Sequence, residues 1–128
     1  LGGHETRRFY FWDNFAVGAK GLIFVTDSSD ADLLPESKTE LDRILKLDTL
    51  KNIPLLVYAN KYDQKEIDAE PIARKLGLFD LKDREWFIQP SNTMDRSGLY
   101  EGFDWLLGAI KKQEIIKDSH EEIETSNK

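Results

Sequence analysis

Three short apolar runs divide the chain, and each has the composition of a buried β-strand. They extend from Gly21 to Asp27 (GLIFVTD), from Pro54 to Asn60 (PLLVYAN) and from Trp86 to Ser91 (WFIQPS). The first two are apolar without alternation and end in turn-forming residues, which is typical of strands that are covered on both faces. The third is rich in aromatic and branched residues. The pattern therefore predicts three strands.

Helical spacing of apolar residues fills the segments around these strands. The positions after Pro35 predict a helix that has this proline in its first turn. A shorter helix is predicted from Asp68 to Leu76, with Asp68 as its N-cap and Gly77 as its stop. The stretch from Arg7 to Phe15 is also predicted to be helical. A last helix follows the third strand, where one apolar stripe comprises Leu99, Phe103, Leu106, Leu107 and Ile110.

Strands that alternate with helices indicate right-handed crossovers and a parallel sheet. The predicted fold class is therefore α/β, a three-layer sandwich with a mainly parallel sheet. Three strands are few for a doubly wound domain. The polar segment from Lys117 to Lys128 is predicted to be a disordered acidic tail.

Composition narrows the classes of function. The chain has 128 residues, a net charge of -6 and no cysteine. One domain is the expectation for this length, and the negative charge argues against binding nucleic acid through bulk charge. The lack of cysteine excludes disulfides and thiolate metal sites within these residues. The chain starts at Leu1 and not at Met, so we expect it to be part of a longer protein.

One motif follows the second strand directly. In an open parallel sheet, ligands bind beyond the carboxyl ends of the strands, and the loop that leaves this end reads NKYD from Asn60 to Asp63. The carboxylate of Asp63 can accept two hydrogen bonds, from N1 and N2 of guanine. Adenine lacks this donor pair, and a buried polar group without a partner costs about 1–3 kcal/mol. The motif therefore predicts a site that selects guanine.

The other two residues of the motif have supporting roles in this interpretation. The Asn60 amide can face the base edge or clamp neighbouring loops, and the Lys61 stem can lie along the base and ribose. The alternative is an ordinary surface turn, because Asn, Asp and Lys are common in turns. The position directly after a buried strand favours the guanine site.

Several segments together resemble the Arf/Sar family of small GTPases, along residues 1 to about 112. They are LGGH at the start, GLIFVTDSSD, VYANKYD and WFIQPSNTMDRSGLYEGFDWL. Histidine in place of glutamine at position 4 is more similar to Sar. The resemblance implies a partial P-loop NTPase-type G domain over residues 1–116. It lacks the phosphate loop, because no G-x-x-x-x-G-K-[ST] string occurs in the 128 residues.

The resemblance also implies site residues. Gly3 corresponds to the switch glycine whose amide meets the γ-phosphate, and His4 to the residue that positions the attacking water. An exposed histidine in a mobile loop is the alternative for His4. Asn60, Lys61 and Asp63 correspond to the base-reading triplet.

A third base-contacting loop follows the last strand in the family. Asn92 and Thr93 fall in that loop, and the Thr93 amide corresponds to the donor to guanine O6. The family usually has Ala at the position of Thr93 and Ser or Cys at the preceding one, so this chain departs from the pattern. The alternative is a strand-to-helix turn rich in Ser, Asn and Thr.

The implied cofactors are GTP or GDP with Mg²⁺, whose ligands we expect upstream of Leu1; no metal ligand is assigned within this chain. The implied intact protein is a switch that hydrolyses GTP and regulates vesicle or membrane traffic. Its implied partners are effectors, an exchange factor and an activating protein, and nucleic acid is not among them. Its implied location is the cytoplasm, with peripheral membrane association through an upstream N-terminus. We expect the chain alone to be inactive.

Two alternatives remain at this stage. One is a pseudo-GTPase or receptor-subunit-like scaffold that binds guanine nucleotide with little turnover. The other is a stand-alone flavodoxin-like protein, which the half-sized sheet disfavours.

Overall fold

Three strands and three α-helices make up the part of the chain that the structure, a computed structural model, describes. That part comprises residues 20–27, 32, 34–61, 68–92 and 95–126, with the backbone alone for Lys61 and for residues 120–126. The strands are β1 (Leu22–Asp27), β2 (Leu55–Lys61) and β3 (Trp86–Asn92), and the helices are α1 (Leu34–Leu45), α2 (Ala69–Lys75) and α3 (Leu99–Ser126). Two short 3-10 helices, Asp48–Leu50 and Leu78–Asp80, follow α1 and α2.

The strands form one parallel sheet in the order β1-β2-β3. The central strand is buried on both faces, which explains why its sequence is apolar without alternation. Leu55, Val57 and Ala59 belong to the larger core, which contains residues of α1 and α2. Leu56 and Tyr58 belong to a second core with α3. The helices therefore cover both faces of the sheet, and the predicted α/β three-layer architecture is confirmed.

Local signals determine where the two shorter helices begin and end. Pro35 is the second residue of α1, where its missing amide proton costs no helical hydrogen bond. The Asp68 carboxylate accepts a hydrogen bond from the Glu70 amide at 3.2 Å and caps α2. Gly77 adopts the left-handed conformation (φ 76°) after the helix. The predicted cap and stop are both confirmed.

The last helix is longer than predicted. It continues to Ser126, through the segment that the polar composition assigned to a disordered tail from Lys117. No glycine or proline follows Gly108, and Glu, Lys and Ile dominate the segment, so the backbone meets no helix breaker. The helix crosses residue 116, where the sequence placed the end of the domain. The division into a domain and a tail stays a prediction. The helix predicted from Arg7 to Phe15 lies outside the described residues.

None of the helices in the described ranges combines the length and the apolar character that crossing a membrane requires.

A buried arginine holds the amino-terminal end of the sheet together. The Arg84 side chain is 2% exposed. Its Nη1 donates to the carbonyls of Leu50 (3.0 Å) and Ile53 (3.2 Å), and its Nη2 donates to the carbonyl of Leu45 at 3.3 Å. Burial lowers the pKa of the guanidinium below its ordinary value, and Asp83 partly opposes this. Arg84 thereby joins the end of α1, the first 3-10 helix and the approach to β2.

We expect Arg84→Lys to lower the free energy of unfolding by about 2–4 kcal/mol, because one ammonium group cannot reach three carbonyls in different directions. Urea denaturation of the chain measures this. The matched control is Arg43→Lys, at an exposed arginine paired with Glu40, where we expect a change below about 0.5 kcal/mol. Equal effects of the two substitutions would contradict the structural role of Arg84.

Candidate functional site

Polar residues from all three strands meet at the carboxyl edge of the sheet. The parallel register places Asp27, Asn60 and Ser91 side by side at the strand ends, and pairs Lys61 with Asn92. Asn60 and Ser91 are each 2% exposed, and Asn92 is 4% exposed. Buried polar groups in proteins are almost always hydrogen-bonded, so this edge has a defined hydrogen-bond arrangement.

Asn60 connects the carboxyl ends of β2 and β3. The Ser91 hydroxyl donates to Asn60 Oδ1 at 3.3 Å, and both residues are buried. This contact joins two strands, and both roles that the sequence left open for the Asn60 amide stay predictions. The motif alone did not indicate that Ser91 is the partner of Asn60. The position of Ser91 at the end of an apolar strand, opposite Asn60 in register, was the available signal.

The chain doubles back directly after β3. The Asn92 amide donates to the carbonyl of Ser97 at 3.1 Å, and the Ser97 amide donates to Asp95 Oδ1 at 2.9 Å. Arg96 and Gly98 both have positive φ angles, of 63° and 83°. These contacts join the end of β3 to the residues just before α3.

Tyr58 links the central strand to the same helix start. Its hydroxyl donates to the carbonyl of Leu99, the first residue of α3, at 2.5 Å. Burial raises the pKa of the Tyr58 phenol, the Phe103 amide lowers it less, and Glu101 adds to the increase. The phenol therefore keeps its proton, and remains a donor, well beyond physiological pH.

A buried pair of hydroxyl groups lies between β1 and α1. The Thr26 hydroxyl donates to Ser37 Oγ at 3.0 Å, and both side chains are at most 1% exposed. Thr26 precedes Asp27 at the carboxyl edge, so this bond fixes α1 to the strand end. Sequence reasoning did not find this pair, although a threonine within an apolar run is a signal for a buried hydrogen bond.

The structure brings together three of the predicted site residues, namely Asn60, the backbone of Lys61, and Asn92. The other predicted site residues lie outside the described residues: Gly3, His4, Asp63 and Thr93. Their roles, and the role of the Lys61 side chain, stay predictions. Across residues 20–119, wherever side chains are described, no group of three or more His, Asp or Glu side chains could hold a metal ion.

Comparisons with known proteins agree with the motif and the fold. The family model described as "Arf: ADP-ribosylation factor family" matches residues 1–110. Two proteins of Dictyostelium discoideum, "ADP-ribosylation factor K" and "ADP-ribosylation factor J", are 37% and 36% identical to this chain over 113 residues. Each alignment covers 88% of this chain and 59% of the relative. The chain therefore spans about three-fifths of the length of the curated relatives that it matches.

The matched residues include the NKYD motif, all three strands and the first part of α3. The resemblance inferred from the sequence is thereby confirmed: the chain belongs to the ADP-ribosylation factor family.

Proposed function

We propose that this chain forms the guanine-reading part of a GTP-binding switch protein that hydrolyses GTP to GDP. The observation that carries the proposal is the NKYD motif at the end of the buried strand β2, with Asn60 buried and hydrogen-bonded to Ser91 of the next strand. Membership of the ADP-ribosylation factor family supports it.

The described part of the edge fits the base half of such a site. The Ser91 hydroxyl ties Asn60, the first residue of the motif, to the end of β3. In the proposal, Asp63 accepts hydrogen bonds from guanine N1 and N2, and the Lys61 stem covers the base. The Thr93 amide, next to buried Asn92, donates to O6. The Asp63 and Thr93 contacts would distinguish guanine from adenine, because adenine has no N1–H, N2 amine or O6.

The phosphate half of the site is proposed to lie upstream of Leu1. The 128 residues contain no phosphate-loop string, and the described side chains include no group that could hold a metal ion. Mg²⁺, when bound, would supply positive charge that offsets the charge of the phosphates. Of the present residues, the Gly3 amide is proposed to meet the γ-phosphate and His4 to orient the attacking water.

The family supports a broader role for the full-length protein, meaning the natural chain that contains these residues together with a phosphate loop. We propose that it regulates vesicle or membrane traffic through effectors, an exchange factor and an activating protein. Peripheral association with intracellular membranes from the cytoplasm belongs to the same proposal. A pseudo-GTPase scaffold that binds guanine nucleotide with little turnover is the second candidate.

We expect the 128-residue chain by itself to bind GDP and GTP with a Kd above the micromolar range. Phosphate contacts supply most of the free energy of binding a nucleotide, and base contacts supply mainly selectivity. Isothermal titration calorimetry with each nucleotide in Mg²⁺ buffer measures this. A Kd in the micromolar range or tighter would show that the phosphate half is not needed.

We expect Asp63→Asn in the full-length protein to shift its preference from GDP towards xanthosine diphosphate by about 10- to 100-fold. Xanthine presents an N1–H donor beside an O2 acceptor, which match the asparagine oxygen and amine. Competition against a fluorescent GDP measures the ratio. Asp80→Asn, at an exposed aspartate after α2, is the matched control and should leave the ratio unchanged. An unaltered ratio in Asp63→Asn would remove the basis of the guanine assignment.

We expect His4→Ala to slow single-turnover GTP hydrolysis by the full-length protein at least about tenfold, with GDP affinity unchanged, because the attacking water loses its orienting group. His120→Ala is the matched control. Negligible hydrolysis by the wild-type protein, together with tight GDP binding, would instead favour the pseudo-GTPase scaffold.

A further inference from the structure

We propose that the outer side of β3, meaning the side that faces away from β2, is a self-association surface. Two copies of this chain join their β3 strands there, antiparallel and related by a two-fold axis at Phe87. The sheet of one copy then continues into the sheet of the other. The inference is independent of the proposed function, because it concerns the side of the described sheet that lies farthest from β1.

The backbone of β3 presents alternate residues to its two sides. The Leu55 amide donates to the carbonyl of Glu85 at 2.9 Å, so Glu85 faces β2. In a parallel pair the amide and the carbonyl of one residue point to the same neighbour, and those of the next residue point away. Phe87 therefore faces β2 as well, whereas Trp86 and Ile88 direct their amides and carbonyls outwards. Among the described residues, no strand pairs with that outer side.

The carboxyl half of the outer side is already closed. Pro90 has no amide proton, and its carbonyl accepts a hydrogen bond from the Gln89 side-chain amide at 3.0 Å. A Cβ atom added to Gly98 (φ 83°) would lie 2.0 Å from the same carbonyl oxygen, so the backbone of Gly98 approaches it closely. The Asn92 amide is bonded to the chain that returns after β3. The part of β3 that can pair with another strand is therefore its first half, residues 86–88, called here the open half.

Exposed aromatic side chains lie on both faces of the sheet beside the open half. On the α3 face, Phe87 is 37% exposed and stacks on Trp105, with the ring centroids 5.4 Å apart. On the opposite face, Phe79 is 48% exposed and packs edge-on against Trp86 at 5.2 Å. Unpaired backbone groups between exposed apolar side chains are a template for pairing with another strand.

The open half is complementary to itself. When a second β3 runs antiparallel with Phe87 opposite Phe87, Trp86 lies opposite Ile88 twice. Two opposite residues that both point to the partner strand exchange two hydrogen bonds, so this register forms four. An axis at Ile88 would instead place Trp86 opposite Pro90, which cannot donate, and an axis at Trp86 would use Arg84, which precedes the strand.

The charges beside the open half favour a second copy as the partner. An open groove of about 560 Å³ lies between β3 and α3, and its α3 wall carries Asp104 towards one end and Lys112 towards the other. The two-fold axis reverses the direction of α3, so the acidic end of one groove faces the basic end of its counterpart. Opposite charges that meet in this way orient an association. A Cβ atom added to Gly108, between the two, meets nothing within 4 Å, so this wall has room for the partner.

The test measures the mass of the full-length protein against its concentration, by sedimentation equilibrium at physiological ionic strength. We expect a reversible monomer–dimer equilibrium. Phe87→Lys and Phe87→Glu should each weaken the dimer by about tenfold or more, because the two-fold axis places like charges directly opposite each other. Phe103→Lys is the matched control, since Phe103 is 48% exposed on α3 and does not line the groove. It should change the dissociation constant by less than about twofold.

An equimolar mixture of Phe87→Lys and Phe87→Glu distinguishes the proposed dimer from other associations. Position 87 faces itself across the axis, so the mixture pairs opposite charges, and a mixed dimer should form about tenfold more tightly than either variant alone. An association through a different surface predicts no such recovery. Dimers that persist in both single variants, or a mixture of folded variants that stays monomeric, would overturn the inference.

A cross-link keeps the test decisive if the charged variants do not fold. Opposite residues of this antiparallel type have Cα atoms about 4.5 Å apart, which is within the range that a disulfide spans. Phe87→Cys should therefore form a disulfide between two copies under mild oxidation, which peptide mass spectrometry locates at position 87. Phe103→Cys, the matched control, should not. A wild-type protein that stays monomeric up to about 1 mM, or a Phe87→Cys variant without this disulfide, would overturn the inference and leave the proposed function unaffected.

Discussion

The parallel pairing of β2 with both of its neighbours is the constraint on which the rest of this structure depends. Because the three strands run in the same direction with matched register, Asp27, Asn60 and Ser91 finish side by side. The chain therefore leaves all three strands at the same, carboxyl edge of the sheet. Residues that are about thirty positions apart in the chain become neighbours in this way, and a single polar region forms beside an otherwise apolar core.

Buried polar groups at the two ends of the sheet find their hydrogen-bond partners in different ways. At the carboxyl edge, short side chains pair with each other, as in Ser91 with Asn60 and Thr26 with Ser37. At the amino-terminal end, the Arg84 guanidinium satisfies backbone carbonyls from three segments. Short groups that bond each other thus serve the carboxyl edge, whereas one long buried cation serves the other end.

Helix α3 has two distinct parts. Its first turn belongs to the candidate site, because the carbonyl of Leu99 and the glycines at 98 and 102 fix it against β2 and β3. Its later turns reach beyond the sheet, where Ile115 and Ile116 are about half exposed. Contacts such as Lys112 with Glu85 tie the middle of the helix to the start of β3. Helix α3 is therefore held against the sheet at its first turn and is more exposed at Ile115 and Ile116.

Residue pattern alone determined the three strands, the cap and stop of α2, the α/β class and the family, because these depend on local periodicity and on motifs that are contiguous in the chain. It also predicted that Asn60 and Asn92 lie at the same edge of the sheet, since parallel strand ends share an edge. Only the tertiary structure decided that Ser91 is the partner of Asn60, that Tyr58 reaches Leu99, and that Gly98 is required by Pro90. These contacts join residues that are distant in sequence or that lie on facing backbones, and no local pattern encodes which pairs come within hydrogen-bond distance.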